Sequence, residues 1–328
     1  MKTKERILLD RTKDLEGRNE LTLFLGTERG LDVLKGLIQE NIGTLTAVCV
    51  QDTSGHGAEE TEEIISRAKE IGAQVTLSSN LNPKNYADFL RDTNAVTALC
   101  VNWRRLFPNN AIYVPPRGIV VAHDSLLPHL RGFAPLNHSI RNDESETGVT
   151  LFFANERTDS GDIIGQKTTH IGPNEYVREI RDRVTQLTTE LICKELPKVI
   201  EGKEIGTPQD ETEATYGIRL TPEDGKIDFS RPRREILNLV RATSDPYPGA
   251  FAYIGPNKKQ LIIWTASIPE DAPVVAGSIP GRFIESSPGR GVFICAGDGS
   301  ILLETIQLEE KERTSADKLI RRYTTTLY

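Results

Sequence analysis

Apolar residues in the first half of the chain fall into short continuous runs separated by stretches of helical period. The runs Leu21–Gly26 (LTLFLG), Thr46–Gln51 (TAVCVQ), Gln74–Ser78 (QVTLS), Thr97–Asn102 (TALCVN) and Gly118–Ala122 (GIVVA) have strand length. Runs that are largely apolar throughout are typical of parallel strands buried on both faces. Between them, Leu31–Glu40, Glu59–Ile71 and Asn85–Arg91 carry apolar residues at helical spacing. This alternation predicts βαβ units in an open α/β sheet. In such sheets ligands sit beyond the carboxyl ends of the strands, where strand order reverses. Functional residues are therefore expected just after the strands.

Further along, Glu175–Glu201 reads as one long amphipathic helix carrying Val177, Ile180, Val184, Leu187, Leu191 and Leu196. The next stretch, Gly202–Tyr216, is polar, with Gly, Pro and an acidic cluster, and reads as an interdomain linker. The pattern then changes. A helix-like segment, Arg233–Arg241, precedes short strands at Ala250–Ile254, Gln260–Thr265, Gly281–Ile284, Gly291–Ala296 and Ile301–Ile306, separated by Gly and Pro. That is the signature of a small β-barrel or sandwich. The reading is thus an α/β domain over 1–202, a linker over 203–217 and a β domain over 218–328. The charged last segment, Lys311–Tyr328, reads as a loose tail.

Composition mainly excludes. A chain of 328 residues fits about two domains, and no run approaches the ~20 apolar residues of a membrane span. Met1–Glu20 has no apolar core and is not a secretory signal. Cys49, Cys100, Cys193 and Cys295 lie far apart without metal spacing, so they read as buried apolar residues in a reducing cytoplasm, with no metal cofactor. A net charge of −7 gives no general pull toward a polyanion.

The densest candidate chemistry is Gly118–Gly132 (GIVVAHDSLLPHLRG), followed by APLNHSI, ETGVTLFF and, at Asp159–Gln166, DSGDIIGQ. A strand ends in His123, the natural proton carrier near neutral pH. Asp159 begins a turn at Gly161 that could return a carboxylate to the imidazole. From spacing alone, His123 reads more readily as a structural hydrogen-bonder and Asp-x-Gly as an ordinary turn.

The wider pattern, His-x-SLLP-x-x-RG-x-AP, TGVT and D-x-GDI, resembles the active-site signature of the 10-formyltetrahydrofolate-dependent formyltransferases. The resemblance continues through Ala214–Tyr216, Glu223–Phe229 (EDGKIDF), Arg241–Tyr253 (RATSDPYPGAFAY) and Cys295–Gly299. These resemble the C-terminal domain shared by methionyl-tRNA and nucleotide-sugar formyltransferases, most of all the UDP-4-amino-4-deoxy-L-arabinose type. The resemblance implies a Rossmann-like catalytic domain followed by an OB-like barrel, and 10-formyltetrahydrofolate as co-substrate. It implies catalytic roles for His123 and Asp159. The family's third residue, an Asn two positions before the His, is here Val121. Asn137, Asn102 or a backbone N–H would then supply the missing donor, although Asn137 also matches a loop-holding position of the family. Folate is implied against Trp103, Arg104, Arg105, Leu106, Arg157 and Thr158, and the acceptor against Ser125, Arg131 and Gly132. The resemblance admits a homodimer and implies no membrane partner.

The acceptor separates the remaining readings. Methionyl-tRNA formyltransferases carry a basic insertion after the second strand, whereas Asp52–Glu63 here is short and acidic (DTSGHGAEETEE). Nucleic-acid affinity comes largely from cations on phosphates, so a nucleotide-linked amino sugar is the expected acceptor. The alternatives are methionyl-tRNA formyltransferase with a degenerate loop and a catalytically weakened relative. Formyl-folate hydrolases of the same superfamily lack this C-terminal domain.

Overall fold

The computed structural model describes residue 15 and residues 20–51, 58–103 and 105–328. The chain forms two compact units. One comprises residues 1–132, 148–169 and 183–216; the other comprises 133–147, 170–182 and 217–328.

The first unit is built on strands β1 (Glu20–Leu25), β2 (Thr44–Val50), β3 (Gln74–Leu77), β4 (Thr97–Val101), β5 (Ile119–His123), β6 (Glu146–Phe153) and β7 (Ile163–His170). Helices α1 (Thr27–Gln39), α2 (Ala58–Glu70) and α3 (Tyr86–Asp92) connect the early strands. The sheet order is β3-β2-β1-β4-β5-β6-β7. The first five strands are parallel, and β6 runs antiparallel to β5. The sheet is therefore mixed, where the apolar runs predicted a parallel one. β7 escaped prediction because most of it alternates half-buried and exposed residues, as a strand wetted on one face does.

Alternation along the strands sets the two faces. Phe24, Cys49, Ala98, Cys100 and Ile119 share one cluster with Tyr86, Ala87 and Leu90 of α3. Strand order reverses between β1 and β4, and there the backbones nearly touch. Gly26 donates its N–H to Val101 O at 3.1 Å, and a Cβ on Gly26 would lie 2.5 Å from Asn102 O. Only glycine fits that crossing.

The polar run read as a linker is tied to this unit. Thr207 and Ile163 exchange backbone hydrogen bonds, Arg131 N–H donates to Thr215 O, and Gln209 is buried.

In the second unit, β8 (Ala250–Ile254), β9 (Lys259–Ser267), β10 (Phe283–Ser287), β11 (Gly291–Ala296) and β12 (Gly299–Leu308) form an antiparallel sheet in the order β8-β9-β12-β11-β10. Ile236, Leu237 and Val240 of the helix Arg233–Thr243 pack into the same core as Leu261, Ile263, Ile294 and Leu303. The terminal segment is no loose tail. Tyr253 and Tyr328 exchange backbone hydrogen bonds on the β8 side, while Phe283 N donates to Thr325 O and Leu327 N to Gly281 O on the β10 side. Residues 325–328 thus join the two outer strands and close the sheet into a barrel, removing both open edges. Polar composition concealed this, because only Ala316, Ile320 and Leu327 of the segment reach the core. Among the described residues, no helix is long and apolar enough to cross a membrane.

The closing segment predicts a stability effect. Leu327 is 1% exposed, and removing a buried Leu side chain costs about 2–5 kcal/mol. Leu327→Ala should lower the urea-unfolding free energy of the second unit by that order. A loss within experimental error would show that the segment does not hold the barrel.

Candidate active site

β5 delivers His123 to the carboxyl end of the sheet. Its Nε2 lies 2.8 Å from Leu130 O, and because a carbonyl only accepts, Nε2 carries the hydrogen. Nδ1 faces Asp159, with Oδ2 at 3.6 Å. That is an ion-pair distance, too long for a hydrogen bond. The ring is buried, with Phe152 edge-on at 6.5 Å between centroids.

Asp159 reaches this position through a strained turn, with φ of 47°. Gly161 lets the turn press against β6, since a Cβ there would sit 1.6 Å from Phe153 O. Asp159 Oδ2 accepts the Gly132 N–H at 2.7 Å. The D-x-G spacing is therefore a requirement of close backbone approach.

The loop between His123 and Gly132 is fixed from beneath. Ser125 Oγ donates to His129 O at 2.6 Å. Thr150 Oγ1 donates to Ser125 O at 2.6 Å and accepts Leu127 N–H at 3.0 Å. Gln166 Nε2 donates to Leu127 O and Thr150 Oγ1, both at 2.9 Å. Asp124 pairs with buried Arg29 of α1, which also donates to Thr185 Oγ1 at 2.8 Å. The last residue of TGVT thus organises the loop that carries Leu130 O.

The other expected site residues divide. Gly132 contributes its backbone N–H, and Ser125 serves the loop. Arg131 is fully buried, and its guanidinium donates to Gln209 Oε1 at 3.0 and 2.7 Å and to Glu211 at 3.1 Å. Through these contacts it holds the 207–216 run. Asn137 belongs to the second unit and gives its amide N–H to Ala242 O at 2.7 Å. This matches a loop-holding role, with one N–H already committed. Asn102 gives its amide to Thr27 Oγ1. Trp103 packs edge-on to Phe24 at 5.2 Å in the α3-side cluster. Arg105 donates to Leu81 O at 2.8 Å, and Leu106 is 81% exposed. Thr158 is exposed, and exposed Arg157 pairs with Glu211. Arg104 lies outside the described residues.

Nearby residues limit the chemistry. Val121 is in register with Cys100 on one side and Phe152 on the other. Burial pushes the Cys49 thiol up to about 12 and raises that of Cys100 as well, so neither is a ready nucleophile. Of the acidic run after β2, residues 52–57 lie outside the described residues. Glu59 and Glu60 occupy the first turn of α2, where negative charge favours a helix, and Glu63 pairs with Lys35 and Arg67.

Thr150→Val keeps the side-chain shape while removing the hydroxyl. The buried Leu127 N–H then loses its acceptor, which costs roughly 1–3 kcal/mol. Chemical denaturation should register that loss; an unchanged midpoint would show that the loop does not depend on Thr150.

Known proteins share this architecture. The formyl transferase family model matches residues 23–196, and the model for the formyl transferase C-terminal domain matches residues 219–324. WlaRD, a sugar 3N-formyl transferase solved in the presence of dTDP and 5-N-formyl-THF, superposes with a TM-score of 0.64 at 16% identity, covering 89% of this chain and 98% of its own. The N-formyltransferase from Helicobacter canadensis, in complex with folinic acid and dTDP-3-aminofucose, gives 0.60 at 17% identity, covering 90% of this chain and all of its own. HypX from Aquifex aeolicus in complex with tetrahydrofolic acid gives 0.60 at 18% identity over 91% of this chain. This chain spans about half the length of HypX, 46% in that structure. With both family models matched in order along most of its length, this chain belongs to the formyl transferase family.

Proposed function

We propose that this protein transfers the formyl group of 10-formyltetrahydrofolate to the amine of a nucleotide-linked amino sugar. The observation that carries the reading is the convergence of His123 and Asp159 at the end of β5, with the imidazole tautomer fixed by Leu130 O. A neutral amine attacks the formyl carbon and forms a tetrahedral carbon bearing an oxyanion. The amine nitrogen must lose a proton, and the departing folate nitrogen must gain one. Nδ1 is the ring nitrogen able to take that proton, because Nε2 is bound to a carbonyl. Asp159 then faces the imidazolium. Collapse of the intermediate breaks the bond to the folate nitrogen, which receives the proton and leaves as tetrahydrofolate.

The acceptor class draws support from the N-formyltransferases this fold resembles, two of them solved with folate derivatives and a dTDP species. A tRNA acceptor lacks an electrostatic footing at α2, where residues 58–63 carry Glu59, Glu60, Glu62 and Glu63 and no cation.

The oxyanion also needs a hydrogen-bond donor. Val121 packs against an apolar cluster with Phe24, Tyr86 and Cys100, and Asn102 and Asn137 each have an amide N–H engaged elsewhere. The donor is then a backbone N–H of the His123 loop or of the Asp159 turn, or the second amide hydrogen of Asn102.

Two experiments follow. His123→Ala and Asp159→Ala should each lower formyl transfer by about 10²–10⁴-fold, and the double variant should lose little more than the worse single one. Additive losses would show that the two residues do not act in one step. Val121→Asn should leave turnover flat or lower it, because an amide set against the apolar cluster at this half-buried position is poorly paired, at a cost of up to roughly 1–3 kcal/mol. A gain of about 10²-fold, the scale of one oxyanion contact, would show that the donor had been missing.

A further inference from the structure

Arg131 sits between the two contacts that define the His123–Asp159 pair. The carbonyl before it, Leu130 O, bonds the imidazole, and the amide after it, Gly132 N, bonds the carboxylate. Its guanidinium reaches away to Gln209 Oε1. Gln209 then uses its other end on the Asp159 turn, with Nε2 donating to Asp159 O at 2.9 Å and to Gly161 O at 2.8 Å. A ring of contacts closes: His123, Leu130, Arg131, Gln209, Asp159 and back to His123.

The orientation of the Gln209 amide is not in question. Guanidinium groups only donate and carbonyls only accept, so oxygen must face Arg131 and nitrogen must face the turn. All four hydrogen-bonding positions of the carboxamide are filled, and the side chain is 9% exposed. Glu211 supplies the countercharge for Arg131, and this guanidinium in turn holds the Glu211 carboxyl below the usual carboxylate range. The turn needs such an external hold. Asp159 has φ of 47°, a conformation that persists in a non-glycine residue only when its surroundings impose it.

We infer that Gln209 is a positioning residue for formyl transfer: locked by Arg131, its carboxamide fixes the Asp159 turn against the loop that orients His123. This rests on the proposed role of the pair as the transfer centre. Residues 207–216 are then part of the catalytic unit, a strap across the site.

The test uses the full-length protein and two variants. Gln209→Ala removes the whole bridge. Gln209→Glu keeps side-chain length and the Arg131 contact, but its carboxylate has no hydrogen to donate to the two carbonyls. The readouts are kcat and KM for formyl transfer, the thermal midpoint, and the His123 titration by NMR of histidine-labelled protein, assigned by its loss in His123→Ala. Misplacement of a catalytic pair costs about 10²-fold in rate. Both variants should therefore lose kcat on that scale with KM nearly unchanged, and Gln209→Ala, which adds no charge, should displace the His123 titration. A lower thermal midpoint with wild-type kcat and titration would overturn the inference and leave Gln209 a structural staple. If Gln209→Ala does not fold, Gln209→Glu decides by kcat and KM, because its added charge would itself move the His123 titration. Should His123→Ala itself retain full transfer, the functional reading fails, whereas the titration still reports whether Gln209 controls the pair.

Discussion

An imidazole bound through one nitrogen to a carbonyl can exchange its proton only at the other. Leu130 O imposes that condition on His123, and the rest of the site follows from it. The loop must fold back so that a residue seven positions downstream meets its own strand end. Thr150 and Gln166 satisfy the polar groups that this return would otherwise bury unpaired. The same loop then offers the Gly132 amide to Asp159, so one short segment orients both members of the pair. Glycines at 148 and 161 permit the strands and turn behind it to approach within carbonyl contact, as a Cβ at 148 would lie 2.1 Å from Lys167 O and one at 161 would lie 1.6 Å from Phe153 O.

Much of this was legible in the sequence. Buried parallel strands advertise themselves as apolar runs, and β1 to β5 lie within two residues of where those runs place them. His123 and Asp159 stood out because their flanking motif is dense, and the physical content of that motif is now visible in Thr150, Gly148 and Gly161. Strand β7 was not legible, since a half-wetted edge strand has no continuous apolar run. The barrel-closing residues 325–328 were hidden by a polar neighbourhood in which backbone groups make most of the contacts.

The candidate ligand contacts were less legible than the fold. Arg131 lies beside the site in sequence, but its buried guanidinium completes the framework. Proximity along a chain cannot distinguish a side chain aimed at a ligand from one aimed at a neighbouring segment. Gln209 was missed for the converse reason: a lone polar residue in a Gly-, Pro- and acid-rich stretch looks like linker. The one signal nearby was Ala214–Tyr216, a match to a shared motif within a run otherwise read as unstructured. Val121 remains the clearest departure from the family pattern, and its apolar surroundings are consistent with valine there.

The central claim is that this site moves a formyl group to an amine. The most direct measurement is to follow ¹³C-formyl-labelled 10-formyltetrahydrofolate with the purified protein and, separately, amino-sugar nucleotides, charged initiator tRNA or no acceptor. The account predicts label in a formamide on an amino-sugar nucleotide and tetrahydrofolate formed only when that acceptor is present. Label appearing as free formate regardless of acceptor, or on methionyl-tRNA in preference to every amino sugar, would contradict it.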